Sequence, residues 1–313
     1  MFNFNSIVVG FVGLSLVFGS IYQQENEKRK LKRVRKPVIP VESDIYFNDI
    51  FSEGLVGDRP EPAKPSTTTN ATPQTATPSN SASGSQWSKV ISGDAIEDEI
   101  KKLNLQLQRS VTSPSGFNSQ SQTVRQQFSV LSMLFAIIHE YDTDVRWKKF
   151  SRTAQIGFAE AAKQARNPNR QSFEVARSRK DDLASMVRGG GIDVKDNNPE
   201  LYWPDVVGRR PMMVRLETGL RDNLKTLASN ANDFNDNKEK ILQEANMIAA
   251  ISKVLIAEEM DAADDDGYVD FSNAMGNAAG KLKLAVETGD FDAASKAINM
   301  LEQSCNDCHG EWR

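Results

Sequence analysis

The sequence predicts an all-α chain: a C-terminal up-down-up-down four-helix bundle, an additional helical region before it, and one transmembrane helix near the N-terminus. Three observations carry this. From residue 121 onward, apolar residues recur at steps of three and four. The strict alternation expected of half-buried strands is essentially missing. Residues 6–22, SIVVGFVGLSLVFGSIY, are uncharged and almost wholly apolar, at the short end of the ~17–25 residues that cross a bilayer as a helix.

Residues 1–24 read as an uncleaved anchor. No charged stretch precedes the apolar run, and no clear small-x-small cleavage site follows it. No cysteine lies nearby, which excludes a lipoprotein signal. Lys28, Arg29, Lys30, Lys32, Arg33, Arg35 and Lys36 follow directly. The positive-inside bias would hold such a cluster in the cytoplasm, or lay it on anionic headgroups. Residues 25–120 are expected to form this basic juxtamembrane segment and a disordered tether. From 58 the tether runs DRPEPAKPSTTTNATPQTATPSNSASGSQ, with too little apolar surface to order itself. Asn70-Ala71-Thr72 fits a glycosylation pattern, read as chance in so polar a stretch. Within 91–120, Ile96 to Leu107 has the pattern of a short amphipathic helix.

Residues 121–212 form the additional helical region. Phe128, Leu131, Phe135 and Ile138 mark one helix, and Trp147, Phe150, Ala154 and Phe158 a second. Phe173, Ala176, Leu183 and Val187 mark a third, opened by Ser172 as N-cap and closed by Gly189-Gly190-Gly191. A loop with prolines at 199, 204 and 211 follows.

Residues 213–313 give four stripes. The first is Met213, Leu216, Leu220, Leu224 and Leu227. The second is Ile241, Ala245, Ile248, Ser252 and Leu255. The third is Phe271, Met275, Ala278, Leu282 and Ala285. The fourth is Phe291, Ala294, Ile298, Leu301, Cys305, Cys308 and Trp312. Amphipathic helices with short connections make a bundle.

The fourth stripe carries the chemistry. Cys305-Asn306-Asp307-Cys308-His309 is a Cys-x-x-Cys-His motif, the attachment site of a c-type haem. Two thiols add across two haem vinyl groups, and the adjacent histidine coordinates the iron. The chain has two cysteines, both in this motif, so four-cysteine zinc or iron–sulfur sites are excluded. With two histidines, His139 and His309, a multi-histidine metal site is excluded as well. A thioredoxin-type redox site would open a helix after a strand in a βαβ pattern, and here the motif ends a helical repeat. Because the cysteines share the apolar stripe, the haem is expected against the bundle interior.

A four-helix bundle whose last helix carries Cys-x-x-Cys-His resembles cytochrome c-prime, the class II c-type cytochromes. Residues 268–313, with the Gly289-Asp290 turn and the ending Cys-x-x-Cys-His-x-x-aromatic-basic, carry the resemblance most closely. Trp312 stands where tyrosine or phenylalanine is more usual. The resemblance covers residues 213–313; the anchor and 121–212 depart from the small soluble family. It implies one covalent haem c on Cys305 and Cys308, with His309 as proximal iron ligand. It further implies a distal face lined by Leu216, with Met213 one turn before it. Arg209, Arg210 and Arg215 cluster nearby, and Arg215 is a candidate contact for the haem propionates, against a reading of the three as a solvated basic patch.

Other features are read as decoys. Asp264-Asp265-Asp266-Gly267 imitates a calcium loop. In the frame set by Gly267, position one is Ala262 and position twelve Asn273, so the first aspartate and the bidentate glutamate are missing. His139 reads as a partly exposed surface histidine. No Ser/His/Asp set, phosphate loop or paired acid–base constellation emerges, so the chain reads as a carrier rather than an enzyme. A formal net charge of -4 argues against nucleic acid as a partner. The expected function is a membrane-anchored monohaem cytochrome in electron transfer outside the cytoplasm, at the inner membrane with its haem domain in the periplasm. Haem attachment on the translocated side is given precedence over the basic cluster. Alternatives are an NO- or CO-binding protein and a structural haem subunit of a membrane complex. Expected partners are redox proteins and the membrane through the N-terminal helix, with homo-oligomerisation left open.

Overall fold

The computed structural model describes residues 86–194 and 199–312. The expected anchor, the basic cluster and the tether up to residue 85 lie outside the described residues. Among the described residues every regular element is helical, as the all-α class requires. None of these helices is long and apolar enough to cross a membrane.

Helical structure begins earlier than residue 121, which corrects the tether's extent. Trp87 and Ile91 are buried, and Trp87 Nε1 donates to Glu140 Oε2 at 3.0 Å. Helix α1, Gly93–Ser110, follows, with the Ser92 hydroxyl accepting from Ala95 N as N-cap. It buries Ile96, Ile100, Leu103 and Leu107. The physical reason is local: the linker composition stops near residue 86, and large apolar residues at helical spacing take over.

Helix α2, Pro114–Ser119, is a short connector. Helix α3, Ser121–Glu140, is buried on every face from Phe128 to Ile138. Its sequence stripe therefore captured one face of a central helix. Helix α4, Ser151–Gln164, starts four residues later than Trp147, because Trp147 sits at φ 67°, a left-handed conformation outside the helix. Phe158 stacks on Phe128 at 5.9 Å. Helix α5, Arg170–Val187, is capped by Asn169 rather than Ser172. Ser172 is the reciprocal member of the capping box. Gly189, at φ 90°, ends the chain's run after α5.

Helix α6, Arg209–Glu217, runs into a π-helical segment, Thr218–Leu224, and a last turn, Lys225–Leu227. Helices α7, Lys238–Leu255, α8, Asp266–Thr288, and α9, Phe291–Glu311, complete the fold. Asp265 caps α8 by accepting from Gly267 N and Tyr268 N, so the acidic loop works as a helix start. Gly289 at φ 71° closes α8, and Asp290 caps α9 directly afterwards. α7 lies along α8 and α8 along α9, with α6 and the π segment reaching α7, and the π segment reaching α9.

The boundary expected at 212/213 does not divide the fold. The described residues all fall in one compact unit with one continuous core. α3 packs on α6 and α1 on α7, so the additional helices and the C-terminal helices share that core.

Candidate functional site

The last two turns of α9 place Cys305 and Cys308 on one face, because residues three apart are neighbours on a helix. That face opens on a cavity of about 350 Å³. α9 lines it with Ser304, Cys305, Asn306, Cys308 and His309. α6 and the π segment line it with Arg210, Met213, Val214, Leu216, Glu217, Leu220 and Arg221. α8 adds Tyr268, Phe271, Ser272 and Met275, and α7 adds Leu255. Five residues singled out from the sequence, Cys305, Cys308, His309, Leu216 and Met213, thus meet around one space.

Neither cysteine is in a disulfide, and both are half-buried. Burial pushes both thiols above their ordinary value. The neighbouring Cys308 adds to this at Cys305, whereas Arg209 works against it at Cys308. Their place at the carbonyl end of α9 also disfavours a thiolate. Reactive dithiols sit in the opposite setting, where the thiol is activated at a helix N-terminus. His309 is exposed at the cavity rim.

The end of α9 is held by aromatic contacts. Trp312 meets Tyr268 edge to face at 5.6 Å, and the Arg209 guanidinium lies over the Tyr268 ring at 5.0 Å. Arg209 also donates to the Asp261 carbonyl at 2.7 Å.

Arg215 does not reach this cavity, which corrects its assignment to haem propionates. It is buried, and donates from Nε to Glu99 Oε1 at 2.8 Å and from Nη1 to Glu244 Oε2 at 2.6 Å. Arg210 and Arg221 are the cations among the cavity's lining residues. Arg221, Tyr268, Phe271 and Met275 are lining residues that sequence reasoning did not single out as site residues. Phe271 and Met275 lay on the third stripe, where periodicity does not separate a cavity wall from solid core. His139 lies at another concavity, beside Trp87, Arg152 and Trp203, with Nδ1 3.3 Å from Ser151 Oγ.

The donor set fits a haem better than a bare metal ion. Among the described residues no three His, Cys, Asp or Glu side chains are grouped to hold a metal ion. A haem brings its own four equatorial nitrogens and needs from the protein an axial ligand and an apolar cleft. Leu216, Leu220, Leu255, Phe271 and Met275 supply apolar walls. No family model, curated protein or solved structure matches this chain.

Proposed function

We propose that the cavity holds one covalent haem c and that the chain is a membrane-anchored monohaem cytochrome acting in electron transfer outside the cytoplasm. One observation carries the reading: the chain's only two thiols and the adjacent His309 line a single cavity with apolar walls. Cys305 and Cys308 would form the two thioethers, and His309 would be the axial ligand. When bound, the haem supplies a one-electron couple. The apolar walls exclude water, and Arg210 and Arg221 would pair with the haem carboxylates in place of Arg215. In this reading α6 with its π segment, α7, α8 and α9 form the four-helix bundle of a cytochrome c-prime-like protein. The apolar run 6–22 is the single-pass anchor in the inner membrane, with the haem domain in the periplasm.

The test is haem staining after denaturing electrophoresis. The wild type should stain and Cys305→Ala/Cys308→Ala should not; an unstained wild type expressed with a haem-attachment system would overturn the proposal.

A second reading, binding of NO or CO, is favoured by Leu216 and Leu220 among the residues that line the cavity, since leucine offers the iron no lone pair. It shares the same haem, and the coordination state of the reduced protein separates the two.

A further inference from the structure

Arg210 lines the cysteine-bearing cavity and also a neighbouring concavity of about 230 Å³, where it stands with Arg125. Arg125 in turn lines a third concavity, of about 530 Å³, with Lys163 and Arg166. Four cations from α3, α4, the turn after it and α6 therefore form a continuous stretch that ends at the rim of the candidate haem cavity. Two acids, Glu160 and Asp205, lie in the third concavity. Among the described residues neither forms an ion pair with any of the four cations, and Glu160 accepts from Gln164 at 2.6 Å.

Burial, then the charges of Arg166 and Arg210, hold Arg125 below its ordinary pKa. The arginines thus repel one another, and the two acids beside them form no ion pair with them among the described residues. Elsewhere on the surface cations meet acids, as Lys225 meets Glu302 at 2.7 Å and Arg221 meets Glu217 at 3.2 Å. On a chain of net charge -4, a run of four cations with no ion pair among the described residues is a local departure. A cluster of one sign beside a cleft concentrates partners of the opposite sign.

We infer that the Arg125–Lys163–Arg166–Arg210 surface is the docking face for a redox partner protein that presents a carboxylate-rich patch. The inference rests on the haem reading, because the surface is functional in this sense only if electrons cross at Arg210's end. An acidic protein face is favoured over a small anion because the four cations extend past the one concavity that holds three of them, to Arg210 in the next. Charge pairs of this kind steer association and set its salt dependence.

The probe is a fluorescent oligoglutamate peptide, titrated into the full chain at low salt. The basic residues of 28–36 are the same in every variant, so any binding there cancels in the comparison. Arg125→Gln/Arg166→Gln should weaken binding about tenfold. The exposed pair Lys240→Gln/Lys296→Gln, with the same change in net charge, should not. Equal weakening in both pairs, or displacement of the peptide by inorganic phosphate at matched ionic strength, overturns the docking face. In haem-loaded protein, bound peptide should slow the one-electron oxidation of the reduced form by hexacyanoferrate(III), which becomes hexacyanoferrate(II). Tight binding with no slowing overturns the link to the cavity. Failure to load haem sinks the function reading alone, since the binding comparison does not need it.

Discussion

Arg215 Nε donates to Glu99 Oε1 at 2.8 Å across 116 positions of sequence, and this bond ties α1 to α6 inside the core. The other arm of the guanidinium holds Glu244 on α7. Asn223, in the π segment, donates to the same Glu244 at 2.7 Å. The buried network therefore fixes the π segment that carries Leu220 and Arg221 to the cavity. Removing Arg215 leaves the two buried carboxylates, as ion pairs, only the longer contacts to Lys102, at 3.4 Å from Glu99 and 3.5 Å from Glu244. Arg215→Met should cost about 3–5 kcal/mol, read as a lower denaturant midpoint. A loss under about 1 kcal/mol would show the network to be solvated and weak.

The same network sets an acid limit. Burial pushes the Glu99 carboxyl up, but the charge and hydrogen bond of Arg215 outweigh it, and the net direction is down from 4.5. A carboxyl lowered on folding stabilises fully above its unfolded value and loses that contribution as pH falls through its folded value. Arg215 is raised further above its already high value and stays charged throughout. Stability should therefore fall as pH drops below about 4.5, and Glu99→Gln should flatten that limb while lowering stability at neutral pH. Equal acid limbs in wild type and Glu99→Gln would contradict the assignment.

Gly219 sits against this network. A Cβ there would lie 2.8 Å from Glu244 Oε2 and 2.9 Å from Arg215 Nη1, both buried and paired. Gly219→Ala should destabilise by about 1–3 kcal/mol, despite alanine's higher helix propensity. If the π segment can yield, as one-turn π insertions at functional sites often do, the ligand spectrum of the loaded protein should shift as well. An unchanged melting temperature would show that the ion pairs move aside freely.

On the haem reading, the side chains lining the cavity would decide whether the iron gains a sixth ligand. Leu216 and Leu220 have no donor atom, and Met213 and Met275 line the same cavity. The reduced protein is expected to be five-coordinate, high-spin and ready to bind CO. A low-spin reduced spectrum, converted to high-spin by Met213→Ala or by Met275→Ala, would replace this with methionine ligation and identify which one binds.

The motif and the helices were legible in the sequence because both are written in short-range spacing. Cys305, Cys308 and His309 lie within one helical turn, and α7, α8 and α9 follow their stripes closely. What sequence concealed depends on rotation and on partners far away. Arg209, Arg210 and Arg215 look alike as a basic group. Arg215 falls on the face of Met212, three residues before it, and Gly219, four after, which is the buried face of α6. The stripe through Leu216, Leu220 and Leu224 is buried as expected, but the buried face is wider than that stripe and takes in Arg215 beside it. The π segment adds to this, since a wider turn shifts the register without any mark in composition. Trp87 and Ile91 were hidden by the linker that precedes them, although their size alone resists solvation.

Intact mass of the fully denatured chain tests the central claim most directly. The account predicts wild type heavier than its sequence by one haem, with that mass retained through acid denaturation because both thioethers are covalent. Cys305→Ala/Cys308→Ala should run at its bare sequence mass under the same expression. A wild type that also runs at the bare mass, or one lighter by two hydrogens through a Cys305–Cys308 disulfide, would contradict the claim.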